Sequence, residues 1–162
     1  MDIHYMSKTN EWATPQDLFD TLDAEFKFTL DPCATKENAK CSFYYTKDDD
    51  GLSQDWCDHT VFMNPPYGRE IKQWAKKAYQ EWKRGATVVC LVPSRTDTAY
   101  WHDYFMKADE IRFIRGRVKF GGSKNSAPFP SAIVVFLGSF YQNMKAQPKR
   151  SSGSCPCCSF CF

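Results

Sequence analysis

An open α/β sheet, mostly parallel and with an antiparallel last strand, is the fold class that three features of this sequence predict. Strand-like and helix-like segments alternate through the middle of the chain and then give way to two consecutive strands. The run Thr87 to Val92 is apolar throughout, the pattern of a strand buried on both faces of a parallel sheet. The chain has 162 residues, 43% hydrophobic and 25% charged, which suits one domain around one core.

Taken in order, Thr14 to Leu22 opens a helix: Thr14 can cap it, Pro15 suits its first position, and Leu18, Phe19 and Leu22 make an apolar stripe. Phe26 to Leu30 alternates as a short strand ending at Asp31-Pro32, and Ser42 to Tyr45 is a weaker one before the polar turn Lys47 to Gly51. Thr60 to Met63 is a buried strand that runs directly into Asn64-Pro65-Pro66-Tyr67-Gly68. Glu70 to Arg84 is helical, with Ile71, Trp74, Ala75, Ala78 and Trp82 on one side and Gly85 as its stop. After Thr87 to Val92 come a helix from about Asp97 to Met106, a strand from Glu110 to Phe120, the loop Gly121 to Ser131 and a strand from Ala132 to Leu137. Periodicity fades from about Ser139. The chain thus divides into an N-terminal extension (1–9), one domain (10–140) and a Cys-rich tail (141–162) expected to be disordered.

No apolar run approaches the roughly 18 to 20 residues of a membrane-spanning helix. Met1-Asp2-Ile3-His4 is too polar for a secretory signal, so the cytoplasm is the expected compartment. The net charge of +2 hides an asymmetry: residues 1–58 carry 13 acidic against 5 basic side chains, residues 59–162 carry 6 against 16. The basic half suits a polyanion such as nucleic acid, and equally an ordinary solvated surface. Cys33, Cys41, Cys57 and Cys90 read as small core residues of a reduced protein. Cys155, Cys157, Cys158 and Cys161 lie too close together for a ready tetrahedral zinc site, and the three histidines share no ligand spacing, so no metal is expected.

Asn64-Pro65-Pro66-Tyr67 carries the chemistry. It stands where a buried strand ends, the usual ligand position in an open α/β sheet. Two prolines fix φ and remove two donors, so the Asn64 side chain and the Asn64 and Pro65 carbonyls become a rigid set of acceptors. Tyr67 adds an aromatic face suited to a planar heterocycle. Such a site fits an exocyclic amine on an aromatic base. Acceptors gripping its hydrogens draw the nitrogen toward tetrahedral geometry and steady the charge that grows as a methyl group arrives.

Here the chain resembles a known family. Asn-Pro-Pro-Tyr is the signature of amino-methyltransferases that use S-adenosylmethionine. Together with Trp12-Ala13-Thr14-Pro15, Leu30-Asp31-Pro32-Cys33-Ala34, Asp50-Gly51-Leu52, Asp55-Trp56 and Ala127 to Ala132, it resembles the phage-type DNA N-6-adenine methyltransferase (Dam) family over roughly Asn10 to Leu137. The resemblance implies a Rossmann-like class I methyltransferase fold. It implies that Asn64, Pro65 and Tyr67 hold a flipped adenine while Pro66 stiffens the turn. It places the cofactor against Trp12, Thr14 and Pro15, against Asp31, Pro32, Cys33 and Ala34, and against Asp50, Asp55 and Trp56. The glycines of the usual cofactor loop are replaced by Cys33-Ala34-Thr35-Lys36.

DNA is the implied partner, and no obligate protein partner is evident. A base within a duplex must be flipped to reach such a pocket. Phosphate contacts are expected from Arg69, Arg95, Lys119 and Lys124, all on the catalytic edge of the sheet; Phe129 is a further expected DNA contact, and the loop bracketed by Phe120 and Phe129 is expected to close on the flipped base from the side opposite Tyr67. Phe120 reads as core, and Arg115, Arg117 and Lys119 alternate onto one strand face. At this length recognition is confined to loops such as Gly121 to Ser131, which predicts a short or relaxed target sequence. Two other readings remain at this stage: methylation of a protein glutamine or an RNA amine, and a non-catalytic DNA-binding relic of the fold.

Overall fold

The computed structural model describes residues 12–146. Its elements are α1 (Gln16–Phe26), β1 (Leu30–Asp31), β2 (Phe43–Tyr44), β3 (Thr60–Met63), α2 (Ile71–Lys83), β4 (Thr87–Pro93), α3 (Ala99–Asp103), β5 (Glu110–Phe113), β6 (Ser131–Phe136) and α4 (Ser139–Ala146). Single 3-10 turns occupy Phe105–Lys107 and Phe120–Gly122. The strands form one six-stranded sheet in the order β2-β1-β3-β4-β6-β5. β2, β1, β3 and β4 run parallel, whereas β6 is antiparallel to both β4 and β5. The mixed α/β sheet and its antiparallel last strand agree with the sequence reading.

Register shows how the sheet is covered. Phe62 pairs with Val89 and Val89 with Val135, so these side chains share one face; Val61, Val88 and Phe136 share the other. On the first face α1 packs through Phe19, whose ring stands edge-on to Phe62 at 5.1 Å. On the second face α2 packs through Trp82, 5.3 Å from Phe136. The helices on either side of the Asn64 turn therefore cover opposite faces. All seven residues of β4 and all six of β6 are buried, which makes this pair the centre of the core. Among the described residues no helix is long and apolar enough to cross a membrane.

The boundaries depart from the sequence reading in four places. Residues 26–30 form no continuous strand: α1 runs to Phe26, Lys27 turns left-handed at φ 58°, and the Asp23 carboxylate accepts from the Phe28 N–H. Phe26 and Phe28 stack on each other instead of alternating. The strand after Glu110 ends at Phe113, so Arg115, Arg117 and Lys119 are exposed loop residues and share no strand face. The expected helix from 97 to 106 divides into α3 and a 3-10 turn. Finally, the chain continues past residue 140 as α4, where Tyr141 donates from its hydroxyl to the Phe26 carbonyl. Residues 1–11 and 147–162, including the N-terminal extension and all four clustered cysteines, lie outside the described residues. Of the other four cysteines only Cys90 is buried; Cys33, Cys41 and Cys57 are half-buried and all four are free.

Candidate active site

The turn after β3 has the rigidity its prolines dictate, and both ends of the Asn64 side-chain amide are held. The Asn64 amide nitrogen donates to the Trp12 carbonyl and to Thr14 Oγ1, the latter at 2.9 Å. Asn64 Oδ1 accepts from the Tyr67 hydroxyl at 2.6 Å, and the same hydroxyl lies 3.0 Å from the Leu91 carbonyl of β4. Burial pushes the Tyr67 phenol well above its ordinary range, so this hydroxyl remains a donor. The Asn64 backbone N–H faces the Cys33 thiol, which burial likewise keeps protonated.

Asn64, Pro65 and Pro66 line a cavity of about 960 Å³. That volume lies within the range of small-molecule sites. Its other walls are Trp12 to Thr14, the loop from Asp31 to Asn38, Asp50 to Leu52, and Glu70, Gln73 and Trp74 at the start of α2. Thus the loops following β1, β2 and β3 converge on one space at the carboxyl ends of parallel strands.

Asp31 organises the first of these loops. Its carboxylate accepts from the Lys40 N–H at 3.1 Å and the Cys33 N–H at 3.4 Å, closing the segment between them. Inside that segment Thr35 N–H donates to Asn38 Oδ1 and Asn38 N–H to Thr35 Oγ1. This reciprocal pair closes a tight turn within the segment. Burial raises the Asp31 carboxyl to about 6 against the pull of those two N–H groups. The folded chain then holds this proton more tightly than the unfolded one. The resulting stabilisation is present below about pH 4 and is lost as pH rises through 6. Carboxyl carbon shifts followed by NMR should show Asp31 titrating near pH 6. Asp31→Asn should remove that part of the pH dependence of urea unfolding, and an Asp31 midpoint near 4 would contradict the buried geometry.

Most of the expected site residues meet here. Trp12, Thr14, Asp31, Pro32, Cys33, Ala34 and Asp50 all line the cavity with the Asn64 turn. Pro15 does not; it is the residue before α1, and its carbonyl accepts from Phe19. Asp55 and Trp56 also do not. Asp55 is exposed, pairs with Arg84 at 2.9 Å and accepts from the Cys57 N–H. Trp56 is wholly buried: its indole N–H donates to the Gly51 carbonyl, its ring stacks on Trp74, and its backbone N–H donates to buried Glu81. It supports the cavity floor from beneath. Tyr67 presents no open stacking face. Its ring is buried beside a near-parallel Trp12 at 6.4 Å, with Phe120 and Phe129 edge-on at 5.9 and 5.5 Å. Phe129 therefore packs on Tyr67 itself, with no gap for a base between them.

Among the expected DNA contacts, Arg69 is exposed and lines the cavity. Arg95 lies 6.0 Å from the Phe129 ring, and exposed Lys119 precedes Phe120, so both flank the aromatic cluster. Lys124 is exposed on the loop beyond. The main residue that site reasoning passed over is Gly51. A side chain there would meet the Pro32 carbonyl oxygen at 2.0 Å, so the absence of one lets the loops after β1 and β2 touch. Its signal in the sequence was a glycine directly after three aspartates. Phe120 had no such signal, because its place in the cluster depends on Gly121 N–H donating to the Ala13 carbonyl across the fold.

The sequence pattern of the DNA N-6-adenine-methyltransferase (Dam) family matches residues 4–152. The chain belongs to this family. Similar proteins include the DNA N-6-adenine-methyltransferase of Haemophilus phage HP1 (strain HP1c1), 31% identical over 133 residues and 77% of each chain. The protein of the same name from Escherichia phage T1 is 30% identical over 105 residues, 64% of this chain and 44% of that one. The putative methyltransferase YfdM of Escherichia coli (strain K12) is 37% identical over 65 residues, 36% of this chain and 71% of that one. The match thus spans less than half the length of the T1 relative.

Proposed function

We propose that this protein is a Rossmann-like class I methyltransferase that moves a methyl group from S-adenosylmethionine to the N6 amine of adenine in DNA. The observation that carries the reading is the Asn64-Pro65-Pro66 turn opening into the same cavity as the Asp31 and Asp50 loops, in a chain of this family. The cavity fits the cofactor chemically. Asp50 offers a carboxylate to ribose hydroxyls, Lys36 and Lys40 offer cations to a carboxylate, and Leu52, Pro66 and Trp74 give apolar surface to a nucleoside. When bound, S-adenosylmethionine supplies an electrophilic methyl on a sulfonium. Asn64 Oδ1 and the Pro65 carbonyl accept from the adenine amine and hold its nitrogen lone pair toward that side of the cavity.

Tyr67 serves first through its hydroxyl, which orients Asn64; stacking on a flipped base requires Trp12 or Phe129 to move off its ring. Arg69, Arg95, Lys119 and Lys124 take the flanking phosphates, so binding weakens as salt rises.

The test is incubation with methyl-labelled S-adenosylmethionine and, separately, unmethylated DNA, RNA and cell protein. Label is expected in DNA as N6-methyladenine. Label only in RNA or protein would overturn the substrate, and no label in any of them would overturn the activity.

A further inference from the structure

The side chain of Asn64 has more partners than a lone acceptor needs. Both hydrogens of its amide are taken, one by the Trp12 carbonyl and one by Thr14 Oγ1. That assigns the amide's direction without ambiguity, because a carbonyl such as that of Trp12 can only accept. Oδ1 is therefore the atom turned toward the Tyr67 hydroxyl, in a side chain that lines the cavity. Thr14 is only 6% exposed, and the residues after it enter α1, whose Phe19 packs on Phe62 in the strand that delivers Asn64. Acceptor and support are thus built on elements already packed together.

We infer that Thr14 is a positioning residue for the methylation reaction, acting through Asn64 rather than on the cofactor: with the Trp12 carbonyl it clamps the amide so that Oδ1 meets the substrate amine. The inference rests on the function proposed above and adds a residue role to it. It also explains why position 64 carries an amide. A carboxylate there has no hydrogen for the Trp12 carbonyl and sets lone pairs against lone pairs, although it would be the stronger acceptor for an amine. The hydroxyl of Tyr67 does not compete with substrate. Its hydrogen has the Leu91 carbonyl as a second acceptor, and Oδ1 has two lone pairs.

Thr14→Val keeps the shape of the side chain and removes the acceptor; Thr14→Ser restores it. With Thr14→Val, kcat on DNA should fall about tenfold, roughly the loss of one well-placed hydrogen bond, with KM for DNA unchanged. Affinity for S-adenosylhomocysteine, measured by calorimetry, should stay within about threefold, well short of the loss of a hydrogen bond to the ligand. Thr14→Ser should recover kcat, and Thr14→Val should have no further effect in an Asn64→Ala background. The Asn64 side-chain amide resonances give a reading that needs no turnover. They should shift and exchange faster in Thr14→Val, and return in Thr14→Ser.

A parallel loss of S-adenosylhomocysteine affinity and kcat would make Thr14 a cofactor contact and overturn the inference. Transfer by the wild type with Thr14→Val unaffected would overturn it while leaving the proposed function standing. No transfer by the wild type would overturn both.

Discussion

Asn64→Ala is expected to lower kcat for adenine methylation by about 10²- to 10³-fold, the range seen when one preorganised group facing developing charge is removed. The size follows from how little else changes. Asn64 is only part-buried, and Tyr67 keeps the Leu91 carbonyl as a partner when Oδ1 is gone. The Trp12 carbonyl and Thr14 Oγ1 lose a donor, at two residues that line the cavity. The fold and the remaining cavity walls therefore stay in place. Affinity for S-adenosylhomocysteine should fall no more than about threefold, less than one hydrogen bond is worth. Label transfer and calorimetry on the same preparation separate the two effects. A variant that retains a tenth or more of wild-type kcat would remove Asn64 from the chemistry.

What the sequence made legible follows from the range of the forces involved. β3, β4 and β6 were readable because each is a run of apolar residues whose burial is decided locally, and the Asn64 turn was readable because prolines act on their own neighbours. The segment from Phe26 to Leu30 misled because alternation in five residues is satisfied as well by a helix ending at Phe26 and followed by one ring, Phe28, that folds onto Phe19, Phe26 and Phe62. Asp55 and Trp56 were assigned to the cofactor by their place in a motif. Only the structure reveals that Arg84 and Glu81, more than twenty residues away in the chain, turn them outward and downward. Tyr67 shows the same limit at the centre of the site. Its residue type announces stacking, but the rings of Trp12, Phe120 and Phe129 that cover it come from three distant segments.

Gly51→Ala should have the other large effect, and on a different quantity. The added methyl would stand 2.0 Å from the Pro32 carbonyl oxygen and 3.2 Å from Cη2 of Trp74. Neither neighbour yields easily. Pro32 follows β1 directly, and Trp74 is stacked on Trp56. Gly51 cannot retreat either, because its carbonyl accepts from the indole of fully buried Trp56 at 2.9 Å, and Trp56 is anchored to Glu81. The strain must then part the loops after β1 and β2, the two walls proposed to hold the cofactor. Affinity for S-adenosylhomocysteine should drop by about 100-fold or more, near 3 kcal/mol, with stability lowered by about 1–3 kcal/mol as for other overpacked sites. The two variants thus divide the site between them. Asn64→Ala loses transfer and keeps the ligand, whereas Gly51→Ala loses both. Binding within threefold of wild type in a folded Gly51→Ala protein would mean that the cofactor lies elsewhere than between these loops.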